Sequence, residues 1–308
     1  MNRIVAAAVA ASLFAVPAMA ADVGRPQAGA PASEAAGPDD AYGFLDGTGV
    51  GSPGDRGLTS ETTARFGKFD GRYTGINTKL EAGWTPVQRL QVSLAVWAAY
   101  HDIRNNTVPG YPNQNRFAFD GLAGQVRYQI KERGTTPFDP GLTVGLELRW
   151  GRFSEGLGFS AERFAATFKV AADAALIGDR LYGSVNLNIG PGTERPRGAL
   201  GYANDSGLEL GGALAWRLGE GSSTFVGGNL RYVAAYGGAF LNQWGGHAVL
   251  VGPTLFHKIG DVGPLKDTFV SPAWNAQVWG RAAGAATGGL DLVNFERHQV
   301  RVKLGGAF

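Results

Sequence analysis

The chain has 308 residues, of which 18% are charged and 44% hydrophobic, with a formal net charge of +2 and no cysteine. Without cysteine it can form neither disulfides nor thiolate metal sites, and the small net charge gives no indication of a nucleic-acid partner. Its 48 glycines amount to about twice the average usage. Together with 17 Phe, 9 Tyr and 7 Trp, they favour β structure whose backbones pack closely.

The first twenty residues have the pattern of a cleaved secretory signal peptide. Arg3 gives a positive start, an apolar stretch runs from residue 4 to 17, and Ala18-Met19-Ala20 has the small-x-small form of a cleavage site. That stretch is too short for a membrane helix, and no later stretch reaches the roughly 18 uncharged apolar residues that one requires. We therefore expect an exported protein without a helical membrane anchor.

Residues 21–57 are rich in Pro, Gly and Ala and show no periodicity. This composition predicts a flexible periplasmic segment. The alternative is a plug that folds into a barrel lumen, and the sequence leaves both interpretations open. Gly47, Gly49 and Gly51 form a GxGxG string, but no strand precedes it and no βαβ pattern surrounds it. It therefore does not indicate a nucleotide site.

Residues 58–308 alternate between apolar and polar side chains. From Arg163 to Leu176, for example, every even position is apolar, whereas Lys169 and Asp173 lie at odd positions. Twelve segments of this kind, most of them nine residues or longer, are separated alternately by tight turns and long loops. The segments are 60–69, 72–84, 89–101, 115–131, 140–152, 161–176, 181–190, 204–217, 222–236, 246–258, 268–281 and 295–308. The pattern predicts an all-β fold, a transmembrane antiparallel up-and-down β-barrel of about 12 strands.

Some aromatic residues occupy the alternating positions that carry apolar side chains and lie at the two ends of these segments. This is the arrangement expected for girdles at the two membrane interfaces. The six residues are Trp84, Tyr128 and Trp216 beside tight turns, and Tyr100, Trp150 and Tyr236 at the opposite ends.

Pro253 and Pro272 fall inside adjacent strands, where a missing N–H interrupts the ladder. We expect a bulge at this seam, where the strand count is weakest.

The chain ends in RVKLGGAF, in which Val300, Val302, Leu304 and Phe308 share one parity. A terminal Phe preceded by alternating apolar residues resembles the C-terminal strand of Gram-negative outer-membrane barrels. The resemblance implies an outer-membrane location, contact with outer-membrane lipid, and Phe308 as the signal that the barrel-assembly machinery recognises.

A narrower resemblance is to the barrels grouped with the meta-pathway of phenol degradation. It rests on GWTPVQRLQVSL at 83–94, GHAVLVGPTLFHKIGD at 246–261 and DLVNFERHQVRVKL at 291–304. This resemblance implies an outer-membrane, transport-related role and nothing about catalytic residues.

Enzymatic chemistry is not indicated. A phospholipase-like barrel would need a His-x-Ser pair, but His101, His247, His257 and His298 are followed two positions on by Ile or Val. Neither GxSxG nor HExxH occurs. Four scattered His residues without Cys also predict no metal site, and we expect no cofactor.

Sorting the charged residues by parity predicts a lumen with an excess of about seven positive charges. The predicted lumen-lining residues are Arg65, Lys79, Arg127, Arg149, Arg163, Lys169, Arg217, Arg231, Arg281, Arg301 and Lys303, with Glu81, Glu147, Asp173 and Glu209. Such a lumen favours anions, so we expect a channel for small solutes that prefers anions. The excess would carry no such meaning if several of these cations sit at strand ends among lipid headgroups, or if they pair with the four acids and fill the bore.

Two alternatives stay open. The first is a structural or adhesive barrel with a blocked lumen. The second is a transporter of small apolar or aromatic compounds with a lateral gap at the Pro253/Pro272 seam.

Overall fold

The structure is a computed structural model that describes residues 39–108 and 113–308. The predicted signal peptide, residues 1–20, lies outside the described residues. Twelve strands account for most of the rest. They are β1 (Arg56–Phe66), β2 (Arg72–Val87), β3 (Leu90–Arg104), β4 (Gln114–Lys131), β5 (Gly141–Phe153), β6 (Ser160–Ile177), β7 (Leu181–Pro196), β8 (Ala203–Arg217), β9 (Thr224–Tyr236), β10 (Trp244–Val262), β11 (Leu265–Ala282) and β12 (His298–Ala307).

The strands close into a barrel. Each pairs antiparallel with its neighbours in sequence, and β12 closes the ring by pairing with β1. The predicted antiparallel up-and-down barrel of 12 strands is therefore confirmed. Because the strand number is even, β1 begins and β12 ends at the same end of the barrel, where the Phe308 amide donates to the Arg56 carbonyl (3.1 Å).

Most connections differ in length between the two ends, although the nine residues 132–140 join β4 and β5 at the end with the shorter turns. At the end that holds Arg56 and Phe308, the turns include the two residues 88–89 and the three residues 178–180; we call it the turn end. The opposite end, which we call the loop end, includes the segments 154–159 and 283–297. In outer-membrane barrels the short turns are periplasmic and the long loops extracellular.

Most strand boundaries lie within a few residues of those predicted, but β7 is longer. The alternation ends near Gly190, yet β7 continues to Pro196 because the Gly- and Pro-rich residues that follow still pair with β8, from Gly190↔Gly207 to Glu194↔Ala203. Backbone pairing does not require apolar side chains, so the hydrophobic pattern underestimated this strand.

The two faces of the wall differ in polarity. Phe168 and Val170 are 49% and 38% exposed on the outer surface, although both are large apolar side chains. Lys169, between them, points inward and bonds Glu147 at 3.0 Å. An exposed apolar outer face around a polar interior is the arrangement that a barrel needs in lipid. Within the described residues, no helix is long and apolar enough to cross a membrane.

The proline seam does not change the strand count. Pro253 lies within β10 and Pro272 within β11, and both strands are continuous. The expected irregularity is present in this hairpin, but the register shifts fall between Val249 and Leu250, four residues before Pro253, and between Lys258 and Val262, beyond it. On both sides of Pro253 the two strands keep one register.

Close backbone contact explains part of the glycine content. A Cβ on Gly252 would overlap the carbonyl oxygen of Trp274 in the neighbouring strand, and one on Gly121 would overlap that of Trp150. Only glycine allows these approaches. At Gly252 this contact brings β10 and β11 together next to the proline seam.

The six girdle aromatics separate by barrel end. The register places Trp84, Tyr128 and Trp216 near the turn end. Tyr100, Trp150 and Tyr236 lie towards the loop end. The girdle assignment itself stays a prediction.

The two-faced wall predicts different outcomes for neighbouring substitutions in β6. We expect Phe168→Arg to destabilise the membrane-inserted barrel by about 2–4 kcal/mol, the cost of a lipid-facing cation near the bilayer midplane. Thr167→Arg, which enters the polar lumen, should cost much less. Reversible folding into lipid vesicles measures both. Equal losses from the two variants would contradict the assignment of faces.

Candidate functional site: the barrel lumen

Residues 39–55, which we call the lumen segment, run against the inner wall. Tyr42 is fully buried, and its hydroxyl donates to Asp173 Oδ2 at 3.3 Å. The Thr48 hydroxyl also donates to Asp173, and the Asp46 amide donates to Asn186 Oδ1 at 2.6 Å. The segment thus reaches side chains of β6 and β7 more than a hundred residues away in sequence.

An apolar cluster anchors the segment near the turn end. Ala41, Tyr42 and Leu45 are buried against wall residues that include Tyr182 and Phe225. Burial of such side chains contributes roughly 1.5–3 kcal/mol each. The cluster therefore supplies much of the energy that holds an otherwise irregular segment in the lumen.

Gly43 and Phe44 contact the wall closely. Phe44 lies under the guanidinium groups of Arg231 and Arg301, at 4.7 and 5.0 Å from its ring centre. Gly43 has a φ of +66°, and a Cβ there would overlap the Thr254 side chain. Glycine is therefore required at the point where the chain turns between Tyr42 and Phe44.

Wall side chains satisfy the backbone carbonyls of the segment. Donors from five strands take part, which matters because a segment outside the sheet has no ladder partners. The bonds are Thr85 to Val50 O (2.5 Å), Gln129 and Thr143 to Thr48 O (2.9 and 2.6 Å), Arg127 to Gly47 O (2.7 Å), Ser184 and Asn186 to Asp46 O (3.0 and 2.9 Å), and Ser271 to Asp40 O (2.7 Å). For residues 21–57 the sequence left two alternatives, a flexible segment and a plug. The structure describes this region from residue 39 onwards, and residues 39–55 are its part outside β1.

Three carboxylates of the segment meet lumen cations. Asp40 forms an ion pair with Lys303, and Asp39 lies 3.7 Å from Arg133. Asp46 is flanked by cations that include Lys169 and Arg127. Burial tends to raise its pKa, but these cations outweigh burial and hold the pKa of Asp46 well below its usual range. Asp46 therefore stays ionised in the docked segment.

Asp39 behaves in the opposite way. Burial is the largest effect on this carboxyl and raises its pKa to about 6; Arg133 opposes the rise, and the negative charge of Asp173 adds to it. The Asp39 carboxylate of the docked segment therefore gains a proton in mildly acidic solution.

A second charged cluster narrows the lumen towards the loop end. Glu155, from the β5–β6 loop, lies 2.7 Å from Arg65 and 3.4 Å from both Arg149 and Arg163. Burial opposes ionisation of Glu155, yet the three guanidinium groups hold its pKa well below its usual range. The sequence pattern missed Glu155 because a loop residue has no strand parity.

Above the lumen segment lies a cavity of about 580 Å³. It is lined by charged side chains such as Glu147, Arg149 and Arg163, and by apolar ones such as Phe153 and Phe295. Phe295 comes from the β11–β12 loop and packs against inward-facing residues of the wall. The cavity is thus bounded by strands of the wall and by loops of the loop end.

The predicted lumen charges occupy the interior with one exception, and most cations have acidic partners. The ion pairs are Arg65–Glu155, Lys79–Glu81, Arg149–Asp120, Arg163–Asp205, Lys169–Glu147, Arg217–Asp179, Arg231–Glu209, Arg301–Glu61 and Lys303–Asp40. Arg127 instead bonds Gln91 and the Gly47 carbonyl. Asp40, Asp120, Glu155 and Asp179 were missing from the parity count because they lie in the lumen segment, beside a bulge or in loops. Glu61 and Asp205 share the inward parity of Arg65 and Glu209 and were also left out of the count. Together these acids offset much of the predicted positive excess.

Arg281 is the exception. It is exposed, pairs in register with the outward-facing His247, and donates Nε to the Ala285 carbonyl at 3.2 Å. The register shift at Val249/Leu250 inserts one extra residue into β11 before this point. A shift of one residue exchanges the two faces of a strand, so Arg281 lies outside the lumen.

The histidines do not form a common site. His101 bonds the Glu155 carbonyl at 3.0 Å, whereas His247 lies on the outside among aromatic rings, 4.7 Å from that of Trp279. No group of three or more metal-ligating side chains occurs within residues 39–108 and 113–308. What the lumen offers is ion pairing and hydrogen bonding to a solute.

A closed barrel with an apolar exterior and a polar, partly filled interior defines the class: this chain has the fold of the bacterial outer-membrane β-barrels. Residues 34–308 match the family of unknown function DUF6662, and the chain belongs to that family. No curated protein sequence matches it.

Solved structures with similar folds include the COG4313 outer membrane channel from Pseudomonas putida F1, with 9% identity, a TM-score of 0.56, and coverage of 89% of this chain and 100% of that chain. The NanC porin has 13% identity, a TM-score of 0.42, and coverage of 82% and 98%. The TodX monoaromatic hydrocarbon channel (deltaS2 mutant) has 9% identity, a TM-score of 0.40, and coverage of 89% and 98%. The similarity to the first shows a shared fold. The narrower resemblance to the phenol meta-pathway barrels stays a prediction.

The raised pKa of Asp39 makes docking of the lumen segment depend on pH. A group whose pKa is about 6 when docked, against about 4 when free, takes up a proton on docking. Docking should therefore strengthen as pH falls from about 6 towards about 4, and Asp39→Asn should abolish this change. Docking can be measured by the rate at which a thiol reagent modifies the Val50→Cys variant, divided by the rate for Ser52→Cys at the same pH. Val50 is buried in the docked segment and Ser52 is exposed, so a lower ratio means stronger docking. Weaker protection of Val50→Cys at pH 5 than at pH 7 would contradict the assignment.

Proposed function

We propose that the protein is an outer-membrane channel for small solutes in which the lumen segment is a displaceable plug. In this proposal the chain is exported by its N-terminal signal, and its loop end faces the cell exterior. The conducting state forms when residues 39–55 leave the lumen, and that state prefers anions.

One observation carries the proposal: residues 39–53 of the lumen segment are held by side-chain contacts and not by strand pairing. Backbone bonds to the wall begin at Gly54 and Asp55, which pair with Thr85 of β2 next to the start of β1. Its contacts with the wall are hydrogen bonds, ion pairs and the apolar cluster of Tyr42 and Leu45. Such contacts can be released without breaking the β1–β12 pairing that closes the barrel. The wall can therefore stay intact while the bore opens.

The charge arrangement supports a change in selectivity between the two states. With the segment docked, its carboxylates neutralise Lys303 and Arg133 and lie beside Arg127 and Lys169. When the segment leaves, Asp39, Asp40 and Asp46 leave with it, so the lumen becomes more positive by three charges. Cationic side chains along a narrow bore lower the barrier for anions and raise it for cations.

The blocked structural barrel is the second candidate, favoured by the full burial of Tyr42 in the apolar cluster. Lateral uptake of apolar compounds has weaker support. At the seam where a gap was expected, β10 and β11 keep one register, and Gly252 contacts the Trp274 backbone.

Planar-bilayer conductance tests the proposal with two variants. Deletion of residues 21–55 should convert a rarely conducting protein into one with stable discrete steps. Tyr42→Ala combined with Leu45→Ala, which leaves the chain length unchanged, should raise the open fraction by removing the apolar anchor. Ser52→Ala, at an exposed position of the same segment, is the matched control and should conduct like the wild type.

Reversal potential in a KCl gradient measures selectivity. The deletion variant should prefer chloride, and adding Lys303→Gln should reduce that preference. Silence of the deletion variant, with heat-modifiable migration showing a folded barrel, would favour the blocked structural barrel. An open but cation-selective pore would contradict the anion preference alone.

Assembly through the C-terminal residue is a separate proposal. Deleting Phe308 should lower the amount of barrel in the outer membrane, because the terminal strand resembles the assembly signature. Phe308 is exposed and its side chain adds little to the fold, so refolding of the purified truncation into detergent should be nearly unchanged. Normal membrane levels of the truncation would contradict this role.

A further inference from the structure

Four arginines line a second cavity of about 580 Å³ at the loop end, which shares Gly151 and Phe153 with the lining of the lumen cavity. Arg116 comes from β4, Arg152 from β5, Arg195 from β7, and Arg197 from the connection that follows β7. Glu162 of β6 is the acidic side chain in the lining. The lining therefore carries an excess of three positive charges.

The position of the cavity relative to the membrane follows from strand parity. Arg152 shares the outward parity of Leu148 and Trp150, and Glu162 pairs directly with Arg195 across β6 and β7. Trp150 lines the cavity and is one of the aromatics predicted for the loop-end interface. Arg152, Glu162 and Arg195 thus face the outer side of the wall, at the level predicted for lipid headgroups. Arg116 reaches the cavity from the rim of the barrel, at a position paired with the inward-facing His101.

Two of the arginines are held in place by neighbouring side chains. Arg116 donates to Ser160 Oγ at 2.7 Å and lies 4.9 Å from the Phe153 ring centre. Arg195 donates to Glu162 Oε2 at 2.6 Å and stacks on Tyr202 at 4.7 Å. These contacts fix the planes of both guanidinium groups and leave further N–H donors available.

The other two arginines differ from the lumen cations. Most lumen cations have a carboxylate partner, whereas Arg152 and Arg197 form no ion pair with any carboxylate of residues 39–108 and 113–308. Unpaired guanidinium groups that converge on one cavity form a site for an anion. Their planar donor pairs match phosphate oxygens in bidentate geometry.

An apolar groove adjoins this cationic cavity. It has a volume of about 740 Å³, and Trp150 lines both. Leu94, Leu122 and Phe164 line the groove and are exposed on the outer face. A cationic cavity next to an apolar groove matches an amphipathic ligand with a phosphorylated head and acyl chains.

We propose that this surface binds a phosphate-bearing lipid of the outer leaflet, with the phosphate between Arg152 and Arg197 and an acyl chain in the groove. The proposal rests on the outer-membrane fold and not on channel activity. Free inorganic phosphate offers the same head chemistry, but it has no part that would fill the groove.

Lipid binding to the full-length barrel in detergent tests the assignment. The probes are bisphosphorylated lipid A, its dephosphorylated form, and inorganic phosphate, with bound lipid counted by native mass spectrometry. Arg152→Gln combined with Arg197→Gln should weaken lipid A binding at least about fivefold. Arg281→Gln is the matched control, because Arg281 is also exposed, outward-facing and near the loop end, but does not line the cavity.

Heat-modifiable migration shows whether each variant is folded, and conductance should be the same in all of them. The assignment is supported if lipid A binding falls in the double variant, persists in Arg281→Gln, and exceeds that of the dephosphorylated lipid. It is overturned if the double variant binds lipid A as well as the wild type does, or if phosphate removal has no effect. Binding of inorganic phosphate as tight as that of lipid A would overturn the lipid as the ligand.

Discussion

The need to pair every backbone N–H and C=O group in a hydrocarbon environment determines this structure. A strand with a free edge cannot exist in lipid, so the first and last strands must find each other across the whole chain. The β1–β12 ladder, from Gly57↔Ala307 to Phe66↔His298, meets that requirement. Closure in turn creates an interior that lipid cannot enter.

That interior has to be filled, either by water or by protein. Here wall, loops and lumen segment share the task, and the charges inside occur mainly as ion pairs, such as Arg231 with Glu209 at 2.7 Å. Paired charges keep the interior polar without a strong net field. The outer surface solves the opposite problem, because its exposed Leu, Val and Phe side chains need an apolar environment.

The alternation of side chains predicted the barrel, its strand number and most strand positions, because one face in lipid and one in a polar lumen impose a period of two. It did not predict features without that period. Glu155 reaches the lumen from a loop, and Arg281 changes face through a one-residue shift in β11. The lumen segment lacks periodicity, although Tyr42-Gly43-Phe44-Leu45 is an apolar run in a region otherwise dominated by Pro, Gly and Ala, and this was the available signal.

The placement of the lumen segment also has a consequence for the order of folding. The segment precedes every strand in the chain, yet Asp40 contacts Ser271 and Lys303, which lie 231 and 263 residues further on. Its binding surface is complete only when the last strands are in place. A segment that is synthesised before every strand is thus among the last parts of the protein to find its native contacts.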